Sequence, residues 1–293
     1  ENGFAIANKN SSTGIVTDSS LHSSASKDVR RYYLEEYWKR RPALNAVMNT
    51  AFSDADATAA ANGTIRLAEK VANKDFEVLG TSMTTALCTF DTTRAGIIIT
   101  TGGTDQNQAI IAPHLDTNQT AWQTVPWGTE NSTIWECVVT TAASIADIKL
   151  WAGLKLTNDQ LIVTDANQAY FKFQTDATNS EAFTDFTLLH FVHSIADTDY
   201  ISALPITVAA DTQYHLKIVI DSNRKASIYV NGIQYNVTST SGSTGGTAVT
   251  TGTDKTAALT EVDLIPYIGV ETGTGGAKAL KVHSQAISRL IFE

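Results

Sequence analysis

Residues 214–237, YHLKIVIDSNRKASIYVNGIQYNV, have the pattern of antiparallel strands joined by tight turns. Alternate apolar side chains lie on one face of the first strand: Tyr214, Leu216, Ile218 and Ile220. A period of two is typical of a strand with one buried face. Asp221–Lys225 predicts the first turn, with Asn223 able to take a positive φ, and Asn231–Gly232 predicts a two-residue hairpin.

The same texture extends in both directions, from Phe76 to the end of the chain. Segments rich in Ile, Val, Thr, Tyr and Phe are separated by turn residues roughly every 8–12 positions, as expected of β-sandwiches. No long amphipathic helix interrupts them, which disfavours a parallel βαβ fold. The sequence therefore predicts an all-β, antiparallel sandwich over residues 76–293.

Residues 1–75 are predicted to form an N-terminal arm. Residues 1–26 are polar and Ser-rich, which favours disorder. Residues 27–41, KDVRRYYLEEYWKRR, lack Gly and Pro and predict a short helix, capped by Ser26 and ended by Pro42.

The predicted helix combines basic and aromatic side chains. They are Arg30, Arg31, Tyr33, Tyr37, Trp38, Arg40 and Arg41. One interpretation is a solvated helix folded on the sandwich. The other is an anchor that docks on a partner protein, since Arg, Tyr and Trp are enriched at interface hot spots. A nucleic-acid arm ranks third, because Glu35 and Glu36 dilute the positive charge.

Charge and composition narrow the function classes. The net charge is −9, with −10 on residues 76–293 and +1 on residues 1–75. An acidic body repels phosphates, so no nucleic-acid partner is expected. No apolar run reaches about 18 residues, so no membrane span is expected.

The two cysteines, Cys88 and Cys137, lie in apolar runs and are either buried free thiols or a disulfide. No cysteine or histidine spacing suggests a zinc site or another cofactor.

A family resemblance follows from residues 214–237, LIPYIGVET at 264–272 and KALKVHSQAISRLIFE at 278–293. These segments resemble the C-terminal half of concanavalin A-like lectin/glucanase and laminin-G-like domains. In that family a strand ends in Asp, a hairpin follows, the next strand ends in Asn-Gly, and later strands return to close the sheets. The run from Ile99 to Thr157 resembles the matching N-terminal half. The resemblance implies a jelly-roll sandwich. The arrangement also resembles structural proteins of tailed bacteriophages, in which such domains decorate heads or form fibres.

Glycosidases of this fold resemble one another in a strand motif close to Glu-x-Asp-x-x-Glu, because the retaining reaction uses two carboxyl groups about 5–5.5 Å apart. The nearest match here is Glu261-Val-Asp263-Leu-Ile-Pro266, which lacks the last acid. It is interpreted as a loop edge, so no catalytic residue is assigned. His190 and His193 would point to opposite faces of a strand and are interpreted as a surface and a core residue.

Sugar binding would use exposed aromatic rings, and Trp122 and Trp127 lie in the loop-like stretch AWQTVPWGTE. Asp116 and Asn118 precede them and are candidate glycan contacts. With His114, these two also offer metal ligands, but a single carboxylate favours a solvated loop and no metal site is assigned. The alternative for both tryptophans is packing beneath a loop.

The sequence thus predicts a chain that binds or builds and is not an enzyme. The main hypothesis is a virion structural protein on the capsid surface: a head decoration or cement protein whose arm binds the major capsid protein or another virion protein. A homo-oligomer is expected, with a trimer as one option. The alternative is a carbohydrate-binding module or tail-fibre domain that recognises surface glycans.

Overall fold

The computed structural model describes residues 30–39, 45–48, 62–66, 76–113, 125–176, 181, 183, 185–242 and 247–291. Eighteen strands lie in these ranges. In chain order they are β1 (Arg31–Tyr37), β2 (Asn45–Met48), β3 (Asn62–Arg66), β4 (Phe76–Thr81), β5 (Cys88–Phe90), β6 (Ile97–Thr100), β7 (Gln108–Pro113), β8 (Trp127–Gly128), β9 (Ile134–Thr141), β10 (Ile148–Lys155), β11 (Gln168–Gln174), β12 (Leu188–Ile195), β13 (Thr198–Thr207), β14 (Gln213–Ile220), β15 (Ala226–Val230), β16 (Ile233–Tyr235), β17 (Asp263–Thr272) and β18 (Ala279–Leu290).

The strands form two antiparallel sheets. An eight-stranded sheet has the order β16-β15-β14-β9-β18-β6-β5, with β1 beside β18. A ten-stranded sheet has the order β13-β12-β11-β10-β17-β7-β4-β3-β2, with β8 beside β17. The predicted all-β jelly-roll sandwich is confirmed. No helix in the described ranges is long and apolar enough to span a membrane.

The main core fills the space between the sheets. In β14 the predicted face is buried, with Leu216, Ile218 and Ile220 each at most 4% exposed. The ten-stranded sheet is also covered on its outer face, where Trp151, Tyr170 and other residues form a second apolar cluster. A sheet covered on both faces explains why β10, β11 and β17 are buried along nearly their whole length.

The predicted helix over residues 27–41 is wrong where the structure describes it. Residues 31–37 form strand β1, which pairs antiparallel with β18 from Arg31↔Leu290 to Tyr37↔Ser284. Aromatic residues favour strands, and the alternation sends Leu34 and then Trp38 into the core, at 6% and 2% exposure. The hydrogen bonds that β18 offers along this edge outweigh the weak helical pattern.

Both predicted turns form, but one differs in detail. Asn231 and Gly232 take positive φ values of 51° and 82°, as the two-residue hairpin requires. In the first turn, the positive φ of 59° belongs to Arg224 and not to Asn223. The Asp221 carboxylate accepts a hydrogen bond from the backbone N–H of Asn223 at 2.8 Å. This bond fixes Asn223 at the turn position just before the residue with positive φ.

Strands that precede residue 76 join both sheets. β1 lies beside β18, and β3 pairs with β4 from Asn62↔Thr81 to Arg66↔Glu77. The division of the chain into an arm over residues 1–75 and a sandwich over residues 76–293 stays a prediction.

Candidate functional site

A cluster of polar and aromatic residues, exposed or half-buried except for one buried tryptophan, lies at one edge of the sandwich, where β8 meets the start of β17 and the end of β18. We call it the edge cluster, and its members are Tyr32, Trp127, Glu130, Asn131, Asp263 and Arg289. Strand β8 pairs with the first residues of β17, placing Gly128 opposite Asp263. The following turn is fixed by Thr129, whose hydroxyl donates to the Thr260 carbonyl at 2.7 Å.

Two carboxyl groups of the edge cluster lie side by side. A β-carbon at Gly128 would overlap the carboxylate of Glu130, so the Glu130 side chain folds back over the glycine. Because Gly128 is directly opposite Asp263, and such paired residues project to the same face about 4.5–5.5 Å apart, the two carboxyl groups are neighbours. Partial burial and the negative charge of Glu130 raise the pKa of Asp263, whereas Arg289 opposes this shift.

The remaining members of the edge cluster are linked to one another. Arg289 Nη1 donates to Asn131 Oδ1 at 2.6 Å, and Arg289 is the cross-strand partner of Tyr32. The ring of Tyr32 is 40% exposed and lies 5.7 Å from the buried ring of Trp127, tilted by 43°. An exposed aromatic ring beside a guanidinium and an amide offers both the apolar surface and the hydrogen bonds that a sugar ring uses.

The carboxyl pair also has the elements of acid–base chemistry. A carboxyl group with a raised pKa keeps its proton to a higher pH and can donate it. A second carboxyl group beside it can act as a base or nucleophile. The sequence motif contained Asp263 but paired it with Glu261, which is a surface residue with a 70% exposed side chain held by Arg224 at 3.1 Å.

A second polar region is the outer face of the ten-stranded sheet, which we call the covered face. Three lysines of β10 and β11, Lys149, Lys155 and Lys172, are at most 1% exposed there. Residues 156–167 and the described residues between 175 and 187 lie against this face. Strand alternation explains the lysines, since each is offset by an odd number of positions from the core-facing residues of its own strand.

Each buried lysine is matched by an acid. Lys149 Nζ lies 2.6 Å from Glu271 and 3.6 Å from Asp176. Lys155 Nζ lies 2.9 Å from Asp165. Lys172 pairs with Glu181. Partners are needed because an unpaired buried charge costs several kcal/mol, on the order of 3–5.

Burial also changes the proton affinity of groups near the covered face. It lowers the pKa of Lys172 to about 8, against the opposing effect of Glu181. It lowers the pKa values of His190 and His193 to about 4, so both imidazoles are neutral at pH 7. As predicted, these two histidines face opposite sides of β12, His190 opposite Lys172 and His193 opposite Ala169. Neither is a surface residue, since each is 1% exposed.

The predicted partner-binding residues lie in or beside β1. Arg31 is tied to its own chain, with Nη2 donating to the Ser132 carbonyl at 2.6 Å. Tyr37 is 47% exposed and Trp38 only 2%. Arg30 is exposed, and Tyr33 is half-buried. Arg40 and Arg41 lie outside the described residues. Partner binding through this segment stays a prediction.

Of the predicted glycan contacts, only Trp127 lies within the described residues. It is 2% exposed and its ring packs against that of Tyr32, a residue of strand β1. Trp122, Asp116 and Asn118 lie outside the described residues, as does His114. In the ranges that the structure describes, no group of three or more His, Cys, Asp or Glu side chains is placed to hold a metal ion.

Comparison with known proteins finds similarity in structure only. No protein-family model matches the chain. No curated protein matches it either.

Three similar solved structures have the same sandwich architecture. A family 7 alginate lyase in complex with substrate is 16% identical, with coverage of 72% of this chain and 84% of that one and a TM-score of 0.45. The carbohydrate recognition domain of Emp46p is 7% identical, with coverage of 73% and 88% and a TM-score of 0.41. A glycoside hydrolase family 16 endo-glucanase from Bacteroides ovatus is 8% identical, with coverage of 70% and 86% and a TM-score of 0.43.

These comparisons bear on the sequence-based hypotheses in two ways. The similar structures are concanavalin A-like jelly rolls that bind or act on glycans, and none of them points to a phage or a virion. The prediction that the chain is not an enzyme is corrected, since two of the three similar structures are enzymes, an alginate lyase and an endo-glucanase. The capsid partner, the homo-oligomer and the virion location stay predictions.

Proposed function

We propose that the chain is a carbohydrate-binding jelly-roll domain whose glycan site is the edge cluster. The observation that carries the proposal is the exposed ring of Tyr32, packed on Trp127 at the edge where Arg289 and the carboxyl groups of Glu130 and Asp263 also lie. A sugar stacked on Tyr32 would place its hydroxyl groups near these acceptors. Carboxylates accept hydrogen bonds about twice as strong as those of neutral groups.

Glycan binding is tested with a matched pair of tyrosine variants. Tyr32 and Tyr37 lie on the same strand at 40% and 47% exposure, but only Tyr32 belongs to the edge cluster. Tyr32→Ala should weaken binding to a glycan found on an array by about tenfold, equivalent to the loss of ~1.4 kcal/mol of contact. Tyr37→Ala should bind as the wild type does. Equal losses in both variants, or no glycan bound by the wild type, would contradict the proposal.

A second candidate function, glycosidic bond cleavage at the same place, is favoured by the neighbouring carboxyl groups. Asp263, with the raised pKa, is suited to protonate a leaving oxygen, and Glu130 is the candidate for the second carboxyl group. Release of reducing ends from a bound polysaccharide should fall by about 10²–10⁴-fold in Asp263→Asn and in Glu130→Gln. Glu261→Gln, which changes an exposed acid paired with Arg224, is the control and should keep full activity. Binding without any cleavage by the wild type would leave a binding domain and exclude hydrolysis.

A further inference from the structure

Lys155 and Gln168 face each other on the covered face. Lys155 is the last residue of β10 and Gln168 the first of β11. They lie one position beyond the last pair of the antiparallel ladder, Leu154 and Ala169, so their side chains project together from the same side of the sheet. Their exposures are 0% and 1%. An amine and a carboxamide are therefore held together away from water.

The contacts are close enough for a reaction between the two groups. Lys155 Nζ lies 2.5 Å from Gln168 Oε1. Since a carbonyl bond is about 1.2 Å long, Nζ lies no more than about 3.7 Å from Cδ. The amide is fixed because Gln168 Nε2 donates to the Ile162 carbonyl at 2.7 Å and to Ser194 Oγ at 2.8 Å. Groups held this close can react with effective concentrations far above those of free solutes.

A carboxylate is positioned to move the protons. Asp165 Oδ2 lies 2.9 Å from Lys155 Nζ. Its other oxygen accepts the Thr157 hydroxyl at 2.8 Å, and the backbone N–H groups of Leu156 and Thr157 hold Oδ2 at 3.2 Å. Burial lowers the pKa of Lys155, although the charge of Asp165 opposes this shift. A proton passed from Nζ to Asp165 leaves a neutral amine against the amide.

We propose that Lys155 and Gln168 become joined by an intramolecular isopeptide bond, with Asp165 as the acid–base group. The lone pair of Nζ attacks Cδ of Gln168, forming an Nζ–Cδ bond, and the Cδ–Nε2 bond then breaks. Starting from the ammonium–carboxylate pair, Nζ gives up two protons. One goes through Asp165 to Nε2, which leaves as ammonia, and the other stays on Asp165. No oxidant, metal or further reactant takes part.

The bond would join β10 to β11 across the base of the segment 156–167, which covers the polar face. This segment is otherwise attached by hydrogen bonds such as that from Lys172 Nζ to the Gln160 carbonyl at 2.9 Å. A cross-link at its base removes conformational freedom from the unfolded chain and so favours the folded state.

Intact-mass spectrometry of the purified full chain under denaturing conditions tests the proposal. The wild type should be lighter than its sequence mass by one ammonia, and Lys155→Met should have its full sequence mass. Lys172→Arg changes a neighbouring buried lysine outside the proposed bond and should keep the deficit. Asp165→Asn should have its full sequence mass, or should lose one ammonia only slowly.

Peptide mapping separates the cross-link from other losses of ammonia, such as imide formation at Asn231–Gly232. A protease that cuts before Asp159 and Asp165 should leave the fragments that contain Lys155 and Gln168 covalently joined. The wild type at its full sequence mass, or a deficit mapped away from Lys155, would overturn the proposal. The wild-type measurement decides the matter even where a variant does not fold.

Discussion

Replacing Lys149 with methionine should lower the free energy of unfolding by about 3–5 kcal/mol, because it leaves a buried carboxylate without its cation. The side chains of Lys149 and Glu271 are 1% and 3% exposed, and Nζ lies 2.6 Å from Oε1. Gln108 still donates to the second oxygen of Glu271 at 2.6 Å, but an amide does not compensate a full charge. The midpoint of thermal unfolding should fall by on the order of 10 °C.

Two further variants isolate the cause of this loss. Lys217 and Glu136 form a comparable pair at 3.6 Å, but their side chains are 35% and 36% exposed. Lys217→Met should therefore cost at most about 1 kcal/mol. Adding Glu271→Gln to Lys149→Met should recover part of the lost stability, because it removes the nearer of the two buried carboxylates that Lys149 pairs with, Glu271 and Asp176. Urea unfolding monitored by tryptophan fluorescence measures all three proteins. If Lys149→Met costs no more than Lys217→Met, the burial of charge has been misjudged.

Three other predictions concern histidine, glycine and cysteine side chains. His190 and His193 have folded-state pKa values of about 4, below the ordinary value near 6.5, so the unfolded chain binds more protons between these values. Stability should fall as the pH drops from about 6.5 to 4, by up to ~1.4 kcal/mol per pH unit for each histidine, and His193→Gln should flatten the slope in denaturation series. A β-carbon at Gly269 would overlap the Trp151 ring, whereas a β-carbon at Gly275 would meet nothing within 4 Å. Gly269→Ala should therefore lower the melting temperature, and Gly275→Ala should leave it unchanged. Burial raises the thiol pKa values of both free cysteines, that of Cys88 to about 12, so thiol reagents should label neither in the folded protein and both after unfolding.

Local alternation was sufficient to predict much of the sandwich. The face of β14 that carries Leu216 and Ile218 is buried, and the Asn231–Gly232 hairpin forms, because both features depend on neighbours in the chain. Strand β1 could not be predicted in this way. RYYLEEY is compatible with helix and strand, and what decides between them is the edge of β18, which lies more than 240 residues away.

The candidate site was harder to predict for the same reason. Asp263 was recognised as part of a carboxylate motif, but its partner Glu130 is 133 positions away and becomes a neighbour only through the pairing of β8 with β17. The covered face was missed because alternation shows that Lys155 and Lys172 lie opposite the core but not that residues 156–167 bury them.

The balance of charge explains why ligand binding is assigned to the edge cluster and not to the covered face. On the covered face each of the three buried lysines is paired with an acid of the same chain. These charges therefore neutralise one another within the fold. At the edge, the charges of both Glu130 and Arg289 act on Asp263, and the Arg289 guanidinium also donates to Asn131. Like charges held together favour a ligand that supplies hydrogen-bond donors or a proton acceptor, which is why we propose the edge cluster, and not the covered face, as the glycan site. Sugar hydroxyl groups are such donors, and a glycosidic oxygen is such an acceptor.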